Sequence, residues 1–146
     1  MAGYSFKLEK VLNYKEKLEN IKKAEYGDIN RRLNNEEEKL LNYNNYKQSL
    51  VTEKNQITKN INVGHLKLYN DYLQDISNMI ENQEKVVIEI KKDLEIAKEE
   101  LLIAMKEKKS FEKLKEIKYE EYLFETKKNE EKIVDGIVTF NTTTQQ

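Results

Sequence analysis

Residues 66–122 read LKLYNDYLQDISNMIENQEKVVIEIKKDLEIAKEELLIAMKEKKSFEKLKEIKYEEY, and their spacing decides the fold. One row at steps of seven holds Leu66, Leu73, Ile80, Val87, Leu94, Leu101, Lys108, Lys115 and Tyr122. A companion row three residues on holds Tyr69, Ile76, Gln83, Ile90, Ala97, Ala104, Phe111, Lys118 and Glu125. A straight α-helix turns once per 3.6 residues, so a strict seven-residue apolar repeat drifts off one face unless the helix supercoils around a partner. The stretch therefore predicts one strand of a long coiled coil.

Working outward, the first half of the chain carries weaker heptads. Val11, Tyr14, Leu18 and Ile21 define one frame; Tyr26, Ile29, Leu33, Leu40, Tyr43, Leu50, Ile57 and Ile61 define a second. The two frames are offset by one residue and joined by an eleven-residue step from Leu18 to Ile29, near Gly27. Such a step relaxes a left-handed supercoil locally. Between the halves, residues 59–65 (KNINVGH) form the one mid-chain cluster with turn chemistry, because Asn tolerates left-handed geometry and Gly64 permits positive φ. Two long amphipathic helices joined by so short a link fold back on each other. The predicted architecture is all-α, a long antiparallel two-helix coiled-coil hairpin forming one domain over residues 1–146. Helix 1 spans about 5–60, the turn about 61–65 and helix 2 about 66–134, and a polar tail at 137–146 is predicted to be disordered. Arms of some 50 residues would run about 75–80 Å. Pairing from a turn at Gly64 sets Val11 near Lys115 and leaves everything beyond Tyr122 overhanging.

Composition agrees. The 146 residues are 36% charged and 38% hydrophobic, with no Pro and a net charge of −1. So few apolar residues suit a narrow seam rather than a globular core. Near-neutral charge supplies no field for nucleic acid or anionic lipid. The lysines between Lys106 and Lys118 alternate with Glu107, Glu112 and Glu116, which reads as a solvated or protein-contacting face. No Cys is present, so thiol chemistry and disulfides are excluded and a reducing cytoplasm fits. No segment approaches the roughly 20 apolar residues that cross a bilayer, so direct membrane insertion is not expected.

Catalysis finds no footing. His65 is the sole histidine, the four glycines do not form a phosphate loop, and pairs such as Glu112–Glu116 and Glu121–Glu125 lie among lysines at ion-pair spacing. No cofactor, metal site or enzymatic activity is expected. The signal that departs from a plain coil lies beside the turn. With Leu66 at a, the residues Tyr72, Met79 and Val86 all occupy g, and Tyr46 occupies g in the second frame of helix 1. A two-stranded core does not need apolar g residues, where charge is usual. Together with Tyr43, Ile76 and Gln83 they define a Tyr- and Met-rich strip, a candidate docking surface. At the other end, Lys108, Lys115 and Lys118 intrude on the seam and loosen it.

Two end segments resemble the FliJ family of flagellar export proteins. They are FKLEKVLNYKE at 6–16, and FEKLKE at 111–116 followed by Tyr119, Glu120, Glu121, Tyr122, Glu125, Lys127, Lys128 and Asp135. The resemblance implies an antiparallel coiled coil similar to the central stalk of rotary ATPases, in the cytoplasm at the inner face of the membrane. It implies a role in type III protein export at the flagellar base. The implied partners are the hexameric export ATPase, whose pore it enters and whose assembly it promotes, the cytoplasmic domain of the export gate, and export chaperones. Carried onto this chain, the gate-contacting positions are Tyr43, Tyr72, Ile76, Met79 and Gln83, and the g-row adds Tyr46. The ATPase contact falls on the open end, at Phe6, Leu8, Val11, Tyr14, Phe111, Leu114, Lys115, Lys118 and Tyr122. Two other readings share the pattern: the stalk of an injectisome type III system, and a general coiled-coil chaperone or scaffold that holds apolar clients.

Overall fold

The computed structural model describes residues 3–57 and 63–144. Two α-helices account for nearly all of them: α1, Glu9–Ile57, and α2, Val63–Thr144, with no strand among the described residues. Both helices are rich in Lys, Glu, Leu and Ile and free of Pro, so nothing in either interior removes a backbone donor. Backbone hydrogen bonds from the Glu9 amide to the Phe6 carbonyl and from the Leu12 amide to the Leu8 carbonyl close the first turn of α1. Contacts divide the chain into a terminal unit, from Met1–Asn20 with Leu102–Gln146, and a turn-proximal unit, Ile21–Leu101.

In the turn-proximal unit the helices pack antiparallel around a narrow apolar seam. One cluster joins Leu33, Val87 and Ile90, with Ile29, Leu40 and Leu94 against it. A second joins Leu50, Ile76 and Ile80, with Leu40, Tyr43, Tyr69 and Leu73 against it. These are the a and d positions of the repeat. Removing each such side chain from water stabilises the pair by about 1.5–3 kcal/mol. Side-chain contacts from Lys22 to Glu100, Gln83 to Glu36 and Lys54 to Asn70 mark the opposed chain directions.

In the terminal unit the pairing is also antiparallel, but the seam is charged. Phe6, Leu12 and Ala104 are buried, and so is Glu19, which is only 5% exposed. The charged residues Lys15, Glu107, Lys108, Glu9 and Lys115 are half-buried around them. Among the described residues past Tyr122 only Thr126 is partly covered, and α2 continues through exposed residues to Thr144. Leu123 and beyond overhang, as the spacing predicts.

Four details differ from the sequence reading. First, α1 has no displaced frame before Tyr26. Its inward residues are Leu12, Lys15, Glu19 and Lys22, which continue the spacing of Tyr26, Ile29 and Leu33 backwards without a break. Tyr14 and Ile21 point outward, 60% and 53% exposed. Charged side chains hold most of the inward positions because each meets an opposite charge on α2. Apolar periodicity alone therefore picks a frame shifted to the seam's edge, with Val11 and Leu18 half-buried and Tyr14 and Ile21 exposed. Second, the Lys115 ammonium meets Glu9, two residues before the Val11 expected near it. Third, Val63, Gly64 and His65 lie in the first turn of α2, and no described glycine has positive φ. The rest of the expected turn, Ile61 and Asn62, lies outside the described residues. At the other end α2 takes in residues 137–144 of the expected tail, which Ile137, Val138 and Phe140 make less polar than its Thr and Gln suggest.

Candidate functional site

The strip beside the turn divides in two. Ile76 and Gln83 lie in the seam, 4% and 9% exposed, and Tyr43 packs half-buried against the cluster of Leu50, Ile76 and Ile80. Tyr46, Tyr72, Met79 and Val86 face outward, each 39–53% exposed. The g-row reading therefore picks out the exposed members, while the d-row residues belong to the core. A shallow groove of about 520 Å³ lies at the same end, lined by Tyr46, Leu50, Glu53, Ile57, His65, Leu68, Tyr69 and Tyr72. Its floor is seam and its rim is aromatic. Two tyrosines from different helices thus border one apolar depression, an arrangement suited to an apolar side chain of a partner protein.

Gln83 has its own chemistry. Its Nε2 donates to the Glu36 backbone carbonyl at 2.9 Å and to the Glu36 carboxylate Oε2 at 2.5 Å. The amide holds the Glu36 carboxyl below its ordinary range, with Lys39 and Arg32 adding smaller effects in the same direction against partial desolvation.

At the open end, Phe6 is buried, Val11, Phe111, Leu114, Lys115 and Tyr122 are half-buried, and Leu8, Tyr14 and Lys118 are exposed. The residue that spacing did not single out is Tyr4. Its hydroxyl donates to the Lys115 carbonyl at 3.0 Å, and its ring meets Tyr119 edge-on at 5.1 Å and Tyr122 at 5.5 Å. The segment before α1 thereby lies along α2, and the aromatic spacing of Tyr4 and Phe6 was the available signal. Between this segment and α2 lies a groove of about 700 Å³ that includes Tyr4, Phe6, Leu8, Leu114, Lys118 and Tyr122.

Below the groove runs a ladder of interhelical ion pairs. Lys115 Nζ stands 3.1 and 2.9 Å from the two Glu9 oxygens, Lys108 Nζ 3.3 Å from Glu19, and Lys15 Nζ 2.8 Å from Glu107. Hydrogen bonding to Glu19 raises the Lys108 ammonium above the ordinary lysine range, and Glu9 does the same for Lys115. In the turn-proximal unit Lys22 is raised by Glu100 first and Glu25 second. Desolvation opposes all three shifts without cancelling them.

Among the described residues no group of three His, Cys, Asp or Glu is placed to hold a metal, and no helix is long and apolar enough to cross a membrane. What the two units offer is contact surface on paired helices, the class of antiparallel two-helix coiled-coil proteins. The chain belongs to the flagellar FliJ protein family, whose model matches residues 4–146. It is 29% identical over 139 residues to the flagellar FliJ protein of Bacillus subtilis (strain 168), covering 92% of each chain. Its fold matches that of a putative YscO homolog from Chlamydia trachomatis with a TM-score of 0.80, at 22% identity and 99% coverage of both chains.

Proposed function

We propose that this chain is a stalk of the flagellar type III export apparatus, joining two partners that do not share a surface. The terminal unit seats in the pore of the hexameric export ATPase and promotes ring assembly. The turn-proximal unit offers Tyr46, Tyr72 and Met79 to the cytoplasmic domain of the export gate. Escort of export chaperones is a second task of the same protein, which works in the cytoplasm against the inner face of the membrane at the flagellar base.

Family membership supports the flagellar setting. The observation that carries the gate contact is the outward orientation of Tyr46, Tyr72 and Met79 over a seam already filled by Leu50, Ile76 and Ile80. Exposed aromatic and Met side chains beside an apolar depression are what protein interfaces use. For the ATPase, a single rod inside a six-fold ring touches the subunits unequally. Unequal contact energies are what shift subunits between conformational states.

Pull-down of the flagellar ATPase and of the gate's cytoplasmic domain tests the division of labour. A Tyr72→Ala/Met79→Ala variant is expected to lose gate binding while ATPase binding and helicity stay at the parent level. Loss of both partners together sinks the assignment. An unchanged hexamer fraction and unchanged hydrolysis on adding the protein to purified ATPase sinks the ring-assembly role. Capture of unrelated apolar peptides with no response from the ring supports a general coiled-coil chaperone instead. The injectisome stalk is the nearest alternative, since the fold is shared with the Chlamydia trachomatis YscO homolog.

A further inference from the structure

From Leu66 to Ala104 the inward rows of α2 hold twelve positions, and Gln83 is the only one whose side chain carries an amide or a charge. Its neighbours in those rows, Ile76, Ile80, Val87 and Ile90, are all buried aliphatics. An unbroken aliphatic heptad is indifferent to register. Sliding one helix past the other by seven residues puts aliphatic against aliphatic again. Something must therefore choose among registers that the seam itself does not distinguish.

On α1 the inward spacing Ile29, Leu33, Glu36, Leu40, Tyr43 contains one carboxylate, and it is the group that Gln83 meets. The pair sits between the two apolar clusters, with Leu40 packed against both. Both acceptors of the Gln83 amide, the Glu36 carbonyl and the Glu36 carboxylate, belong to one residue. A slip of one heptad in one direction sets Gln83 against Ile29 and Glu36 against Ile76. The opposite slip sets Gln83 against Tyr43 and Glu36 against Ile90. Either slip takes both Glu36 acceptors away from the buried Gln83 amide and sets the partly covered Glu36 carboxylate over a hydrocarbon side chain, which is disfavoured when no partner replaces the lost hydrogen bond.

We infer that Gln83 and Glu36 form a register lock in the turn-proximal unit, a polar layer among buried aliphatic side chains that admits one alignment of α1 with α2 there. The layer contributes specificity rather than burial energy, the role best attested for lone polar residues in coiled-coil seams. Flanking pairs do not replace it. Within the turn-proximal unit, Lys54–Asn70 and Lys22–Glu100 are joined through exposed hydrogen bonds and Lys91–Glu37 through long side chains at 3.9 Å, so none of them loses a partner to burial when the helices shift. The buried Glu19, paired with Lys108, belongs to the terminal unit. The lock also has a consequence for the surface. Tyr46 comes from α1 and Tyr72 and Met79 from α2, so register decides which side chains stand together outside the seam.

The chain has no cysteine, so paired cysteine substitutions report register without background. Lys54→Cys/Asn70→Cys and Lys22→Cys/Glu100→Cys join residues in direct contact and report the native alignment. Lys54→Cys/Ser77→Cys reports a slip of one heptad one way, and Lys22→Cys/Asp93→Cys the other. In the parent, oxidation of the monomer is expected to close the native pairs only. In a Gln83→Met background, nearly isosteric and without the amide, and in Glu36→Leu/Gln83→Leu, a slipped disulfide is expected to rise to about a tenth of the intramolecular product or more, a populated minor state. Helicity by circular dichroism is expected to be retained. Glu36→Gln keeps an acceptor for the amide and is expected to behave as the parent. Native disulfides alone in both the Gln83→Met and the double-leucine backgrounds overturn the lock, as does slippage in Glu36→Gln equal to theirs.

Discussion

The turn-proximal and terminal units pair the same two helices by different means. In the first, Leu33, Leu50, Ile76, Ile80, Val87, Ile90 and Ala97 are buried, and the buried Gln83 is satisfied by Glu36. In the second, among the described residues only Phe6, Leu12 and Ala104 are buried aliphatic or aromatic groups, and Glu19 takes a place that an aliphatic residue would otherwise fill. An aliphatic seam holds at any pH and salt at which the chain is soluble, because burial does not depend on ionisation. A charged seam holds conditionally: exposed or half-exposed ion pairs contribute little, are screened by salt and need both partners ionised. One helix pair thus combines a firm region beside the turn with a yielding one at the open end.

Truncation in the firm region gives the largest effect. Ile90 is 1% exposed, and Ile90→Ala is expected to cost about 2–5 kcal/mol in urea unfolding, through lost transfer energy and the cavity left behind. The counterpart at the open end is Glu19→Ala, which strands Lys108 beside its remaining neighbour Glu112 at 3.7 Å. Its cost is expected to be smaller and local, read as amide exchange faster by roughly tenfold in the terminal unit with the turn-proximal amides unmoved. Glu19→Leu paired with Lys108→Leu is expected to reverse the loss, since well-packed apolar residues often equal or exceed a buried ion pair. Uniform acceleration across both units in Glu19→Ala breaks the distinction between them.

How much of this was legible follows the same divide. The rows from Leu66 to Leu101 read correctly as a seam because aliphatic residues recur there every three or four positions and are buried for that reason alone. Residues 11–21 misled because the inward positions are Lys15 and Glu19 while the outward ones include Tyr14 and Ile21. Apolar periodicity measures transfer from water, whereas those positions are chosen by charges on the partner helix some 90 residues away in sequence. The outward Tyr72 and Met79 were legible from the g positions. The burial of Gln83 was not used, since a glutamine in a d row looks like a surface residue until Glu36 is placed opposite it. Tyr4 was missed because a segment lying against a helix outside any repeat has no periodic signature.

Titration separates the units next. The Lys108 and Lys115 ammoniums are held above the ordinary lysine range by Glu19 and Glu9. A group whose folded pKa is raised contributes stability that is fully present below its unfolded value, about 10.4, and lost as pH rises through the folded one. Amide exchange in the terminal unit is therefore expected to accelerate further above about pH 10.4 than general base catalysis of exchange explains. The turn-proximal unit shares this only through Lys22, which Glu100 and Glu25 raise. At the acid end the sign reverses. Glu36 is lowered chiefly by Gln83, so its contribution is present above the ordinary carboxylate range and lost as pH falls through its folded value. Glu36→Gln is expected to flatten that acid limb in the turn-proximal unit and leave the alkaline limb of the terminal unit untouched.

The smallest expected effect on stability is the most telling for function. Tyr72 and Met79 are 47% and 46% exposed, and neither is a member of the buried clusters beside them. Tyr72→Ala/Met79→Ala is accordingly expected to change the unfolding free energy from urea titration by less than about 0.5 kcal/mol per site, the usual range for surface substitutions. Ile76→Ala, from the same stretch of α2 but 4% exposed, is expected to cost about 2–5 kcal/mol. A side chain that matters for folding is explained by folding. A Tyr and a Met left half in water, one heptad apart, are free for the proposed docking role if the fold does not register their removal. If the double variant instead destabilises as much as Ile76→Ala, the outward row is part of the core and the docking strip shrinks to Tyr46.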